Sequence, residues 1–345
     1  MAVSRGAAPA HGGARRFGVP HAPPQAHDPV RRRLLRTAVR SAASGPPGHD
    51  QAGQPGTRRT VVGTILDASP HVVIIGPDLG GPEQRFALME STSVWRGGPV
   101  PVTALRPGQH VVLRQAGPGR SADRIWADIG RVTGTIAERS GDTLVVDQGH
   151  AREPGVVTVA RRAADKIQVR FPWLLPGYLI DVIGLRLGGE LQGLIPATNQ
   201  PPYRGDQVPR PPQIRGRLPD TANGTVSWHE PAAGEPAGLC GVAYPAIDPD
   251  TGCGHDGHCG LEFSCVRLPY LSVGSALRVR NDCADLSATF PVTSCGSAAS
   301  RFCDRCLTCG TSPRGRIADL TVAAFVELGG ELHKSCFNAT ITMGG

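Results

Sequence analysis

The stretch CDRCLTCG, residues 303–310, places Cys303, Cys306 and Cys309 around an Asp304-Arg305 pair, and a second aspartate, Asp319, follows in RIADLTVAAF. Residues of these types at this spacing allow three chemistries. Three thiolates and one further ligand could hold zinc in a tetrahedron, and GCGHDGHCG (252–260) offers Cys253, His255, His258 and Cys259. A C-x-x-C pair could be a redox motif, but no βαβ pattern surrounds it. A stapled loop could instead hold up an acid. The plain structural alternatives are that Asp304 pairs with Arg305 or Arg316, and that Asp319 caps the helix that follows.

Cysteine usage favours the stapled loop. All ten cysteines (Cys240, Cys253, Cys259, Cys265, Cys283, Cys295, Cys303, Cys306, Cys309 and Cys336) lie beyond residue 239. An even number confined to about a hundred residues reads as a disulfide framework in an oxidising compartment. A zinc site would use four ligands and leave six cysteines unexplained. The expectation is that all ten are bonded, with no metal and no cofactor.

These residues need elements to position them. GSALRVRND (274–282) alternates as a strand. GRIADLTVAAFVELGG (315–330) begins as a strand and turns into a short helix with Val322, Phe325, Val326 and Leu328 on its apolar face. FNATITM (337–343) reads as the closing strand. Upstream, VVGTI (61–65) and VTGTI (132–136) recur 71 residues apart, and LRPGQHVVL (105–113) is echoed by LLPGYLIDV (174–182). Two copies built only of strand and turn predict two small OB-like β-barrels in tandem, over 58–130 and 131–197. Residues 198–238, with NQPPYRGDQVPRPPQ, read as a Pro-rich linker. Residues 239–345 are the cysteine-bearing domain.

Charge separates a tail from the rest. Residues 1–60 carry ten arginines against Asp28 and Asp50, a balance of +8 in a chain whose net charge is +7, so the remainder sums to about −1. The tail, 1–57, reads as a disordered basic segment. Its RRRLLRTAVRSAASG (31–45) has the twin arginines of a Tat-type leader, interrupted by Arg36 and Arg40. No run approaches 18 apolar residues, so no transmembrane segment is expected. An OB surface that grips single strands needs interleaved aromatic and basic residues. The scattered Trp95, Trp126, Trp173 and Tyr178 read as core instead, and no specific nucleic acid is expected as a partner.

The string FCDRCLTCGTSPRGRIADLTVAAFVELGG, with LPYLSVGSALRVRN upstream, resembles the core signature of the RlpA-like double-psi β-barrel superfamily. That superfamily holds rare lipoprotein A, the expansin N-terminal domain and barwin-like proteins. The likeness rests on Asp304-Arg305-Cys306, Asp319-Leu320-Thr321, Ala324-Phe325 and Leu328. It implies a disulfide-rich six-stranded double-psi barrel for residues 239–345, which after the disordered tail and the tandem barrels makes the chain all-β. It further implies a secreted or cell-envelope protein whose partner is a cell-wall glycan, bound or remodelled in a groove around Asp304. Cleavage there would need a carboxylic acid that keeps its proton near neutral pH, for which Asp304 and Asp319 are the catalytic candidates. Tyr244, Tyr270, Arg305 and Arg316 would bind substrate. Where lytic members carry a histidine three residues before LP, this sequence has Cys265, which argues for binding over a peptidoglycan lytic transglycosylase. A zinc-stabilised intracellular interaction module is the third reading.

Overall fold

The structure, a computed structural model, describes residues 59–117, 119–149, 152–207, 220–232, 235–247, 268–296, 301–310 and 314–343. The basic tail and leader-like run, and Cys253, Cys259, Cys265, His255 and His258, lie outside the described residues. The chain forms three closed β-barrels in succession, the expected all-β architecture.

The first barrel uses β1 (Thr60–Ala68), β2 (Val72–Pro77), β3 (Gln84–Trp95), the short β4 (Pro99–Val100), β5 (His110–Gln115) and β6 (Ser121–Ala127). Its ring runs β1-β2-β3-β6-β5 and back to β1, with β3 and β6 parallel. The second uses β7 (Ile129–Ser140), β8 (Thr143–Asp147), β9 (Gly155–Val159), helix α1 (Ala164–Arg170), β10 (Leu179–Leu187) and β11 (Glu190–Pro196). Its ring, β7-β8-β9-β11-β10, has the same connectivity, and its one parallel pair, β9 with β11, occupies the same place.

The repeated VxGTI explains itself at the backbone. Strands β1 and β2 bulge between Ile65 and Asp67, and β7 and β8 bulge between Ile136 and Glu138, again 71 residues apart. A Cβ on Gly63 would sit 2.2 Å from the Gly76 carbonyl oxygen, and one on Gly134 would sit 2.0 Å from that of Asp147. Only glycine lets the first two strands of each barrel approach that closely.

The third barrel begins earlier than the sequence suggests. Residues 198–238 are not simply a linker, because Thr221–His229 is its first strand, β12. The others are β13 (Val242–Tyr244), β14 (Ala276–Asn281), β15 (Leu286–Cys295), β17 (Arg314–Thr321) and β18 (Cys336–Met343), with β16 (Cys303–Asp304) as a two-residue flap on β17. The ring runs β12-β18-β14-β15-β13-β17 and closes by pairing β17 with β12. Exchanging the first three strands for the last three leaves it unchanged, and the parallel pairs β12–β17 and β13–β15 swap places. This is the interlocked connectivity of a six-stranded double-psi barrel. Helix α2 (Val322–Glu327) buries Val322, Phe325 and Val326, with Phe325 stacked on Phe337 at 4.8 Å.

Candidate functional site

The second barrel lies against the face of the third that carries the two aspartates, and the contact is ionic. Arg131 on β7 reaches Asp181 on β10 through two bonds, 2.9 and 2.7 Å. Arg316 on β17 then bridges the barrels, bonding Asp181 at 2.6 Å and Asp304 at 2.7 and 3.1 Å. Arg131, Asp181, Asp304 and Arg316 are all buried. Burial disfavours the Arg316 charge, but Asp304, Asp181 and Asp319 more than offset this and raise its pKa above the ordinary value. Burial would likewise raise Asp181, yet the two arginines pull it down to about 2.

Asp304 is enclosed from the other side by Thr198–Gln200, which follows β11. Thr198 Oγ1 donates to Asp304 at 2.7 Å, Gln200 accepts from the Cys303 N–H at 2.8 Å, and Asn199 bonds the Arg305 carbonyl at 3.4 Å. A carboxylate with no exposed surface, locked to an arginine, faces no groove and cannot meet a substrate in this form. The expected acid at Asp304 is therefore a structural ion-pair partner, and the sequence alternative of pairing with Arg316 is the one found. Arg316 itself is buried, with Nε and Nη2 held by Asp304 and Asp181 and Nη1 3.8 Å from Asp319, so it presents no exposed cation to a substrate.

Asp319 is placed differently. It sits near the end of β17 beside Ser227 of β12, whose hydroxyl donates to it, and 3.8 Å from Arg316. It does not cap α2, which begins after Thr321. It opens on a small pocket between the second and third barrels. Arg131, Arg152, His229 and Glu230 line the pocket with it. Burial raises the Asp319 carboxyl above the usual range, and the charges of Arg316 and Arg131 only partly offset this.

His229, which sequence reasoning missed, closes the pocket. Its Nδ1 lies 2.6 Å from Arg152 Nη2 and 2.7 Å from the Glu230 carbonyl oxygen. Arginine can only donate and a carbonyl can only accept, so Nδ1 bonds one of these two neighbours and is crowded by the other. Burial, then the Arg152 charge, lowers its pKa to about 3. Among the described residues Nε2 has no hydrogen-bond partner. A lone His after a Trp in a Pro-rich stretch gives no motif to find; only the pairing of β12 with β17 brings it beside Asp319.

The remaining expected residues separate. Tyr244 is buried, with its hydroxyl donating to the Pro269 carbonyl at 2.8 Å, so it cannot stack on a sugar. Tyr270 and Arg305 are exposed, outside the pocket lining. Not all cysteines are bonded. Cys283 pairs with Cys309, and Cys295 and Cys303 are also in disulfides, but Cys240, Cys306 and Cys336 are free thiols. Cys336 points into the packed barrel and Cys240 hydrogen-bonds Glu327, which explains why neither is paired.

The chain matches no protein-family model, and no curated protein is significantly similar to it.

Proposed function

We propose that this is a secreted or cell-envelope protein that engages a wall polysaccharide, probing it with the Asp319–His229 pocket. One observation carries the reading. Of the two aspartates in the double-psi signature, Asp319 is the one that lines a cavity, and burial there raises its carboxyl above the usual range. That carboxyl and the neutral His229 ring, whose Nε2 has no hydrogen-bond partner among the described residues, can exchange hydrogen bonds with sugar hydroxyls. Arg152, also in the lining, attracts the carboxylates of peptidoglycan stems or acidic sugars. The second barrel covers much of the face around Asp304, which favours recognition of a chain end or single unit over an extended strand.

Co-sedimentation with purified sacculi tests this. Asp319→Asn keeps the shape but removes the acid, and loss of one hydrogen bond to a charged or acidic partner costs roughly 10- to 100-fold in affinity. Equal sedimentation of wild type and variant would move the site elsewhere, and no sedimentation of wild type with any wall polysaccharide would end the reading. The raised Asp319 carboxyl also supports a second reading, a lytic transglycosylase with Asp319 as the acid. Anhydro-muropeptides released by wild type and not by Asp319→Asn would establish it.

A further inference from the structure

A second site lies outside that pocket, where the three barrel-three sulfurs of Cys283, Cys306 and Cys309 converge. All three sulfurs lie within 4.8 Å of one another, and Cys283 Sγ is 3.5 Å from the free thiol of Cys306. Three thiolates at 2.3 Å from a tetrahedral zinc would stand about 3.8 Å apart, a separation that Cys283 and Cys306 already have and that Cys283 and Cys309 would take up once their bond is opened.

The backbone is arranged for the same end. Cys306-Leu307-Thr308-Cys309-Gly310 forms a tight turn in which the Gly310 N–H bonds the Cys306 carbonyl at 3.0 Å. The Cys309 N–H donates to Cys306 Sγ at 3.4 Å, which fixes that sulfur within the turn. Gly310 closes the turn at φ 64°, a left-handed conformation that suits glycine. The third sulfur is fixed independently. Asn281, buried at the end of β14, accepts the Cys283 N–H at 2.9 Å and donates to the Leu328 carbonyl at 2.7 Å.

We infer that Cys283, Cys306 and Cys309 are a three-thiolate site for one soft divalent cation of the zinc class, an alternative clamp to the Cys283–Cys309 disulfide at the same place. The switch needs a dithiol reductant. Two electrons and two protons open the disulfide to two thiols while the dithiol becomes its own disulfide. The cation then displaces three thiol protons, and a fourth ligand beyond these three completes the tetrahedron. Either clamp ties the β14–β15 turn to the loop after Asp304, so the barrel stays closed in oxidising and reducing surroundings alike.

Cobalt(II) is the probe. The full chain is reduced with a dithiol, freed of it by anaerobic gel filtration, and titrated. The expected result is thiolate-to-cobalt charge transfer and tetrahedral d–d bands that saturate, bleach on zinc addition, and release three protons. Oxidised protein should show none of these signals. Cys306→Ser and Cys309→Ser should each lose at least a third of the charge-transfer intensity per cobalt and bind at least 10-fold more weakly. Cys240→Ser should match wild type. Because Cys306 is buried, near-ultraviolet circular dichroism accompanies each variant, and half-buried Cys309→Ser decides if Cys306→Ser is misfolded. Unchanged bands in folded Cys309→Ser, or no bands in reduced wild type that remains folded, would overturn the inference.

Discussion

The two tandem barrels present the same sheet position to the third barrel and fill it with opposite chemistry. In the first, Val62 and Val112 are register partners on β1 and β5, buried at the contact with Trp95 and Trp126. In the second, the positions matching them in the repeat are Thr133 and Asp181, partners on β7 and β10. Around the valines the contact is aromatic, with Trp95 stacked on His333 at 6.1 Å and Trp126 Nε1–H donating to His333 Nδ1 at 3.1 Å, and beside it Arg114 and Arg124 pair with Glu331 at 2.8 and 2.7 Å. Around Asp181 it is a chain of buried charges. An apolar seat tolerates small shifts, whereas a buried ion network holds only when every partner is present. The second barrel's contact thus trades tolerance for a fixed position, and the candidate pocket lies where position matters.

Cutting the network should give the largest effect. Arg316→Met leaves Asp181, Asp304 and Asp319 without the guanidinium that all three face. A broken buried pair costs about 3–5 kcal/mol, and this variant is expected within that range, because Asp304 loses its cation while Asp181 keeps Arg131. Urea unfolding of Arg316→Met against Val112→Ala measures the contrast; equal losses would mean that the ion network carries no special weight. Val112→Ala removes two methyls and should cost only about 1–3 kcal/mol.

The carboxyls themselves sharpen the comparison through pH. Asp181, between two arginines, is held down at about 2, while Glu327 on α2, the helix packed against β1 and β5, is pushed up to about 7 by burial. For Glu327 the folded value exceeds the unfolded one near 4.5. Its contribution is therefore complete below pH 4.5 and is lost as pH rises through 7, by about 3 kcal/mol at most. Asp181 works the other way: its contribution is present above about pH 4 and lost as pH falls toward 2. His229 and His333, held down at about 3 and 4, gain stability as pH rises through the same window, so the share of Glu327 is read as a difference between proteins. From pH 4.5 to 8 the urea midpoint of Glu327→Gln should rise relative to that of wild type; parallel midpoints would show that Glu327 contributes no pH dependence.

What the sequence made legible follows from range. Gly63 and Gly134 could be read because a close approach two strands deep leaves a local, repeated mark, and the Asp319-to-Leu328 string could be read because one strand and one helix lie in one run. The fate of Asp304 could not. Its enclosure depends on Thr198, 106 residues away in another barrel, and on Asp181, which shares Arg316 with it. Strand β12 was hidden by the prolines on both sides of it, although TVSWH itself alternates. The cysteine count suggested full pairing because counting cannot see that Cys336 faces a packed interior.

Within the aromatic contact, Trp126→Phe removes one indole N–H and part of a ring from a fully buried site. The lost bond and the smaller ring should cost about 1–2 kcal/mol. Burial holds His333 down at about 4, so at neutral pH it is uncharged and can accept the indole proton. Acidification through pH 4 protonates it, and the bond is lost. The gap between wild type and Trp126→Phe should therefore narrow below pH 4; a gap independent of pH would show that ring volume alone matters.

The smallest effect comes from an ion pair with the same geometry as the buried one. Arg96 Nε lies 2.9 Å from Asp128 Oδ2, the distance that separates Arg131 Nε from Asp181 Oδ1. Arg96 is 38% exposed, however, and water solvates its guanidinium when the pair opens. Asp128 also keeps bonds from the Gln109 amide and the His110 N–H. Arg96→Ala should thus change stability by less than about 1 kcal/mol, and by less still in high salt. A loss comparable with that of Arg316→Met would mean that distance, not burial, sets the worth of a charge here. The contrast between the two barrel contacts would then need another explanation.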